Sequence, residues 1–313
     1  MQAGGAIVLG GSFVAVDGVP RNHLARVNAA GVLDSSYNPA PNARVWSVLA
    51  LPNGQLMVGG EFTVIPGSAH NRVARLNSSG AQDPGFGISV NNAVTDMALQ
   101  ADGKILVSGN FSSIGGVART AVARLNANAT VDLGFEAMPN NLVWHVLAQA
   151  DGKVWIGGIF TTVDGASAAN LARLKPDGSL DNTLNARPNN SVSAMAQQAD
   201  GRVIVGGDFT AIASTTRNHL ARYQVIGALD QTFANRPITG NVLALAQHAA
   251  GQFVMGGTFT MSMDLHAIAW FVSLAAIRST RFSRPMQTKR CAPSCRNTMG
   301  STWSAATFKP WMA

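Results

Sequence analysis

The chain has 313 residues, only 12% of them charged, and a net charge of +7 that by itself would suggest an anionic partner such as nucleic acid. Seven Lys and Arg together with the single Asp264 fall in residues 262–313, leaving 16 bases against 15 acids before them, so the body is nearly neutral and no nucleic-acid partner is indicated. No apolar run reaches the length of about 18 residues that a membrane-spanning helix needs. Both cysteines, Cys291 and Cys295, lie in the basic segment; a C-x3-C pair without nearby His reads as two unpaired thiols rather than a zinc site.

The first residues, MQAGGAIVLGG, align position for position with LQADGKILVSG at Leu99–Gly109 and lack the basic start of a signal peptide. The chain therefore opens inside a repeat, and an upstream piece carrying any export signal is expected to have been lost. Copies of one block follow: GGAIVLGGSF from Gly4, PNGQLMVGGEF from Pro52, ADGKILVSGNF from Ala101, ADGKVWIGGIF from Ala150, ADGRVIVGGDF from Ala199 and AAGQFVMGGTF from Ala249. Their second glycines, Gly11, Gly60, Gly109, Gly158, Gly207 and Gly257, are 49 residues apart four times and then 50. Such a period is the mark of a repeat architecture.

Within a period, an apolar run (from Val45, Val94, Val143, Val192 and Val242) predicts a first strand. Asn53-Gly54, Asp102-Gly103, Asp151-Gly152 and Asp200-Gly201 then predict a two-residue type I′ hairpin. The second strand (LMV, ILV, VWI, VIV) is apolar without alternation, as in a strand covered on both faces. Paired glycines at its end predict a bulge or a close backbone approach. A phosphate loop is not indicated, because no helix pattern follows. After the Phe comes a polar loop that differs between copies, VAVDGVPRNH, TVIPGSAHNR, SSIGGVARTA, TTVDGASAAN and TAIASTTRNH. Binding of a glycan or a protein is expected there.

The third strand is LARVN from Leu24, with copies from Val73, Val122, Leu171 and Leu220, and a three-residue loop ends it at Gly31, Gly80, Gly178 or Gly227, with Ala129 as the exception. A fourth strand carries Asp34, Asp83, Asp132, Asp181 and Asp230, each eight residues after Arg26, Arg75, Arg124, Arg173 or Arg222. This spacing sets Arg and Asp directly opposite, a pair worth about 0.2–1 kcal/mol. It is expected to act within its own hairpin, so that Asp132→Asn costs little. A calcium site would need several oxygen ligands close in sequence, which no period supplies.

These blocks, in this order and at this spacing from Gly4 to about Thr260, resemble the bacterial delta-60 repeat, a β-propeller-like family with a V-x-A-L-A-x-Q-x-D-G-K-I-x-V-G-G-x-F core followed by L-A-R-L-N and L-D-x-x-F. Ser108 in place of the first glycine, Ala129 in place of the loop glycine, and the tail depart from the pattern. The resemblance implies an exported or cell-surface bacterial protein and carries over no catalytic residue.

One such sheet cannot bury both of its faces, and radial stacking of sheets solves this. The expected fold is all-β: a propeller-like array of four-stranded antiparallel blades over residues 1–261. Because the first copy lacks its opening strand and the last its third and fourth, the ring is expected to be incomplete. The function expected is a non-catalytic binding or structural module; the alternative is a propeller enzyme, a hydrolase or lyase acting on glycans. Catalysis would need residues that break the symmetry, and His70, His145 and His248 occur singly in their phase. His23 and His219 repeat each other in an N-H-L-A-R turn and read as structural. Gly300-Ser301-Thr302-Trp303 resembles half of a sialidase S-x-D-x-G-x-T-W box, but Thr298 stands where its Asp belongs. No catalytic, cofactor or metal residue is assigned, and no cofactor is implied.

Residues 262–313 read as the sixth repeat translated in the wrong frame. Joining the last base of each codon to the first two of the next turns Met263/Asp264 into GGA, Gly, five residues after Phe259, where Gly18, Gly67, Gly116 and Gly165 stand after their own Phe. Trp270/Phe271 is likewise forced to GTT, Val, at the phase of Ala25. With permitted codons His266–Ser273 becomes Arg-Asn-Arg-Leu-Val-Arg-Leu, a copy of Arg21–Val27. A segment never selected to pack is expected to be poorly ordered.

Overall fold

The computed structural model describes residues 3–67, 71–184, 186–236, 238–247, 253–261 and 271–273. Among these the only helix is a 3-10 turn at Ala3–Gly5; all other regular structure is β. The second sheet is a meander of Val45–Ala50, Leu56–Gly60 and Val73–Leu76, and the third is Val94–Leu99, Ile105–Gly109 and Val122–Leu125. The fourth (Val143–Ala148, Val154–Gly158, Leu171–Leu174) and fifth (Val192–Gln197, Val203–Gly207, Leu220–Tyr223) repeat the order, with the second strand central. That strand is buried along its whole length in each of them, as its unbroken apolar run requires.

The fourth arm of each blade is shorter than a full strand. It is a single antiparallel bridge, Val27 to Leu33 in the first repeat and Leu76 to Gln82, Leu125 to Val131, Leu174 to Leu180 and Tyr223 to Leu229 in the next four. The aspartate that follows turns the chain away: Asp34, Asp83, Asp132, Asp181 and Asp230 each accept a backbone N–H two residues on.

The first hairpin differs from the expected type I′ turn. Leu51 N–H donates to Gln55 O at 2.9 Å and Gly54 N–H to Leu51 O at 3.0 Å, which makes a three-residue loop. Only Gly54 has positive φ, +83°, because Asn53 Oδ1 accepts the Gln55 N–H and holds Asn53 in an ordinary turn conformation. The later copies repeat it with Asp102, Asp151 and Asp200.

The sheets stack through five apolar layers. Met57, Val73 and Phe86 of the second repeat pack on Val94, Met97 and Val107 of the third, and the equivalent layers follow on either side. The first sheet has only Ile7–Gly10 and Leu24–Val27. In the sixth, Val242–Gln247 and Phe253–Gly257 pair antiparallel, whereas Phe271–Ser273 lies parallel to Met255–Gly257, opposite to every other third strand. Among the described residues no strand of the first sheet pairs with the sixth, so the array is an incomplete propeller. Apart from 271–273, the segment 262–313 lies outside the described residues.

The Arg/Asp pairs form in all five repeats, with Arg Nε to Asp Oδ2 at 2.7–2.8 Å. Their reach is wider than one hairpin, which corrects the local reading. Arg124 Nη1 donates to Pro176 O at 2.8 Å and Arg173 Nη1 to Val225 O at 3.1 Å, each 52 residues on, in the following repeat. Arg26 and Arg75 do the same to Ser78 O and Ala127 O. Lys104 Nζ and Lys153 Nζ add a second cation to Asp132 and Asp181 at 2.9 and 3.0 Å. The guanidinium also stacks on the aromatic residue three after the aspartate, as Arg124 does on Phe135 at 4.6 Å; where Leu184 replaces that ring, Arg173 lies on Trp155 instead. Burial by itself would raise the Asp132 carboxyl, but hydrogen bonds from Lys104 and Arg124 outweigh it and hold the group at about 2.

Candidate functional site

In the five repeats that have a first strand, its register slips at its second residue. Val45 pairs with Gly60 and Ser47 with Gly59, leaving Trp46 as the bulged residue; Thr95, Trp144, Ser193 and Leu243 are its equivalents. The second glycine of the pair permits this. A Cβ on Gly60 would overlap the Arg44 carbonyl oxygen, and Gly109, Gly158, Gly207 and Gly257 stand in the same relation to Ala93, Leu142, Ser191 and Asn241. That carbonyl accepts the N–H of the residue after the glycine, Glu61 at 2.8 Å and Asn110 at 3.0 Å, with Ile159, Asp208 and Thr258 alike. The first glycine makes room for the next sheet, since a Cβ on Gly59 would meet Val94 Cγ1 at 2.5 Å.

A bulge re-aims its side chain. Each repeat thus presents two side chains at the same end of its sheet: Trp46/Glu61, Thr95/Asn110, Trp144/Ile159, Ser193/Asp208 and Leu243/Thr258. The backbone repeats and the chemistry does not. The first two of these pairs, together with Trp144 of the third, line a cleft of about 240 Å³ with Ala93 and Leu142. Trp46 Nε1 donates to Glu61 Oε1 at 3.1 Å, and the Arg44 guanidinium lies 4.5 Å from the Trp46 ring centroid. Thr95 Oγ1 donates to Val143 O at 2.7 Å and ties the third sheet to the fourth.

The residues one step further along these strands form a buried polar chain. Asp96 Oδ1 accepts from Ser47 Oγ at 3.2 Å; Asp96 Oδ2 accepts from Val146 N at 3.2 Å and lies 3.5 Å from His145 Nε2. His145 and Asp96 are thus placed to form an ion pair when the imidazole carries a proton. Ser47 bonds to the carboxylate rather than to the imidazole, so a serine nucleophile activated by histidine is not assembled.

Of the histidines singled out from sequence, His145 follows Trp144 in the chain and contacts Asp96 without lining the cleft; His70 and His248 lie outside the described residues, as do Cys291, Cys295, Thr298 and Gly300–Trp303. His23 and His219 occupy the positive-φ position before the third strand, which Arg72, Ala121 and Asn170 share. His219 Nδ1 lies 3.1 Å from Gly207 O, at the end of the second strand. Among the described residues no three His, Cys, Asp or Glu side chains are grouped to hold a metal ion, and no helix is long and apolar enough to cross a membrane.

The variable loops are more tightly held than their sequences imply. Ser113–Ile114 pairs with Val117–Ala118, and similar two-residue ladders form in the first, fourth and fifth repeats. Ile114, Val163 and Ile212 are buried, and Asn91 of the preceding linker accepts the Ser112 and Ser113 N–H groups. Asn42, Asn140 and Asn189 repeat that clamp. Sequence reasoning missed Trp46, Glu61, Asn110 and Trp144. A signal was present: the variable residue after the constant Val of the opening V-x-x, and the variable residue between constant neighbours in G-x-F.

Comparison with known proteins agrees with this architecture. A structure described as the extracellular domain of one component system BT4673 from B. thetaiotaomicron superposes with a TM-score of 0.51 at 16% identity, over 82% of this chain and 31% of that one. Virginiamycin B lyase from Staphylococcus aureus gives 0.45 at 11% identity, over 67% and 62%, and the WD40 β-propeller domain of Doa1 gives 0.41 at 13%, over 76% and 86%. The chain thus spans less than two thirds of the first two structures. No curated protein matches it. A family model described as Domain of unknown function (DUF5122) beta-propeller matches residues 2–37, 51–86, 100–135, 149–184 and 198–233. With each of these 36-residue units beginning just ahead of the glycine-rich block and ending after the Arg/Asp pair, the chain belongs to that β-propeller repeat family.

Proposed function

We propose that the chain is a non-catalytic binding module of an exported or cell-surface bacterial protein, and that its ligand sits in the Trp46/Trp144 cleft. One observation carries this: at equivalent bulge positions of an otherwise repetitive backbone, the side chains that differ converge on a single concave, mostly apolar site with a few polar groups. The resemblance of the motif blocks to the delta-60 repeat supports the exported or surface location, and the near-neutral body with its varied polar loops supports the binding module. A screen of the purified chain against mixed glycans, peptides and metabolites should yield binding without turnover, lost in Trp144→Ala.

The contact between Asp96 and His145 favours a second reading, an enzyme using His145 as general acid or base on a glycan bound in the cleft that the adjacent Trp144 lines. Reproducible turnover abolished by His145→Ala, with folding retained, would replace the first reading by this one.

A further inference from the structure

Resting on that binding reading, we infer that the cleft between Trp46 and Trp144 takes one neutral sugar ring. Size comes first. At about 240 Å³ the cleft lies below the range of roughly 300–1,000 Å³ usual for larger ligands, so it admits a single ring rather than a folded peptide segment.

The walls and rim differ in chemistry. Indoles and Leu142 supply apolar surface, while Glu61, Asn110 and Thr95 supply polar atoms. Trp46 is locked by its bond to Glu61 Oε1, and Glu61 Oε2 has no protein donor among the described residues. The Asn110 amide likewise has no side-chain partner there and offers both a donor and an acceptor. Thr95 spends its proton on Val143 O and keeps its lone pairs.

Charge then narrows the class. Arg44 sits over the Trp46 ring while Glu61 holds the edge of the same indole. A cationic ligand would meet an indole already engaged by a guanidinium. An anion would meet the Glu61 carboxylate. A neutral polyol suits both features: its C–H face lies against the electron-rich indole face, and its hydroxyls donate to Glu61 and exchange bonds with Asn110.

The test uses the full chain. Saturation-transfer NMR and tryptophan fluorescence titrations would be run with methyl glycosides of glucose, galactose, mannose and N-acetylglucosamine. Glucuronate, tetramethylammonium and a mixed peptide library would be run beside them. At least one neutral glycoside should bind with millimolar affinity, at least about tenfold weaker in Trp46→Ala and Trp144→Ala. Trp144→Phe, which keeps a ring, should retain most of the binding, and circular dichroism would establish that each variant folds. Glu61→Gln should weaken the glycoside several-fold without strengthening glucuronate to the same level. Silence of every neutral glycoside, or binding indifferent to both tryptophans, overturns the inference. Tetramethylammonium or peptide binding lost in Trp144→Ala, with sugars silent, overturns the sugar while leaving the binding module standing. Chemical conversion of a glycoside overturns the binding module itself.

Discussion

Asp132 condenses the energetics of the array into one residue. Its carboxylate accepts Arg124 Nε at 2.8 Å and Lys104 Nζ at 2.9 Å, and Arg124 then reaches the next repeat at Pro176. Removing one partner of a buried charged pair is far costlier than the pair's net worth, because the other charge stays buried. Asp132→Asn should therefore destabilise by about 2–4 kcal/mol and loosen the contact with the fourth repeat, read as faster amide exchange at Asp177–Ser179. The same carboxylates set the pH dependence. Asp132 is held at about 2 in the folded chain, below its unfolded value of about 3.9. A depressed carboxylate contributes stability that is complete above the unfolded value and is lost as pH falls through the folded one. Asp83 is lowered by the Gly85 N–H, with Gln55 and Arg75 adding to it. Burial opposes the shift at Asp181 and Asp230, where Thr183 and Thr232 lead the groups that lower them. Melting temperature should be flat from neutrality to about pH 4 and fall between about 4 and 2, with a shallower fall in Asp132→Asn.

At the scale of the element, the bulge links the repeat to the site. Gly60→Ala would drive a Cβ into the Arg44 carbonyl oxygen. It should cost about 3 kcal/mol and displace Trp46, so the thermal melt and the tryptophan-fluorescence response to a cleft ligand should change together. Gly18→Ala is the contrasting substitution, since a Cβ there meets nothing and only its φ of +78° is strained; about 1 kcal/mol is expected. The loop of the third repeat tests the same conformation in reverse. Ala129 stands where other copies carry Gly and keeps φ at +64°, so Ala129→Gly should raise stability by about 0.5–1 kcal/mol in chemical denaturation.

For the whole molecule, nearest-neighbour stacking predicts stability that depends on position in the array. The second strand of the first sheet, Ile7–Gly10, has one partner strand and is half-buried throughout, whereas Ile105–Gly109 has two and is fully buried. Hydrogen exchange should therefore run fastest at Ile7–Gly10 and slowest at the second strands of the third to fifth sheets. Uniform protection along the chain would mean that the array unfolds as one unit. At the carboxyl end, the reversed direction of Phe271–Ser273 goes with the proposal that residues 262–313 are a shifted reading of the sixth repeat. Sequencing the source DNA decides it: codons that do not yield Arg-Asn-x-Leu when shifted by one base would refute the frameshift.

The strand pattern and the opposition of Arg26 to Asp34 were legible in the sequence because they depend on neighbours within one hairpin, the period because the blocks recur, and the buried second strand because its unbroken apolar run needs cover on both faces. Local chemistry also misled there: Asn53-Gly54 looks like a two-residue turn, and the side-chain bond from Asn53 to Gln55 chooses another. What only the tertiary structure decided lies between repeats. Arg124 finding Pro176, Ser47 finding Asp96, and Trp46 sharing a cleft with Trp144 each join residues about one or two periods apart. The period tells which positions are equivalent but not how far one sheet is rotated and offset against the next. That offset is set by side chains packing across the stack, as Val94 does on Gly59, and it determines which of the unlike side chains meet.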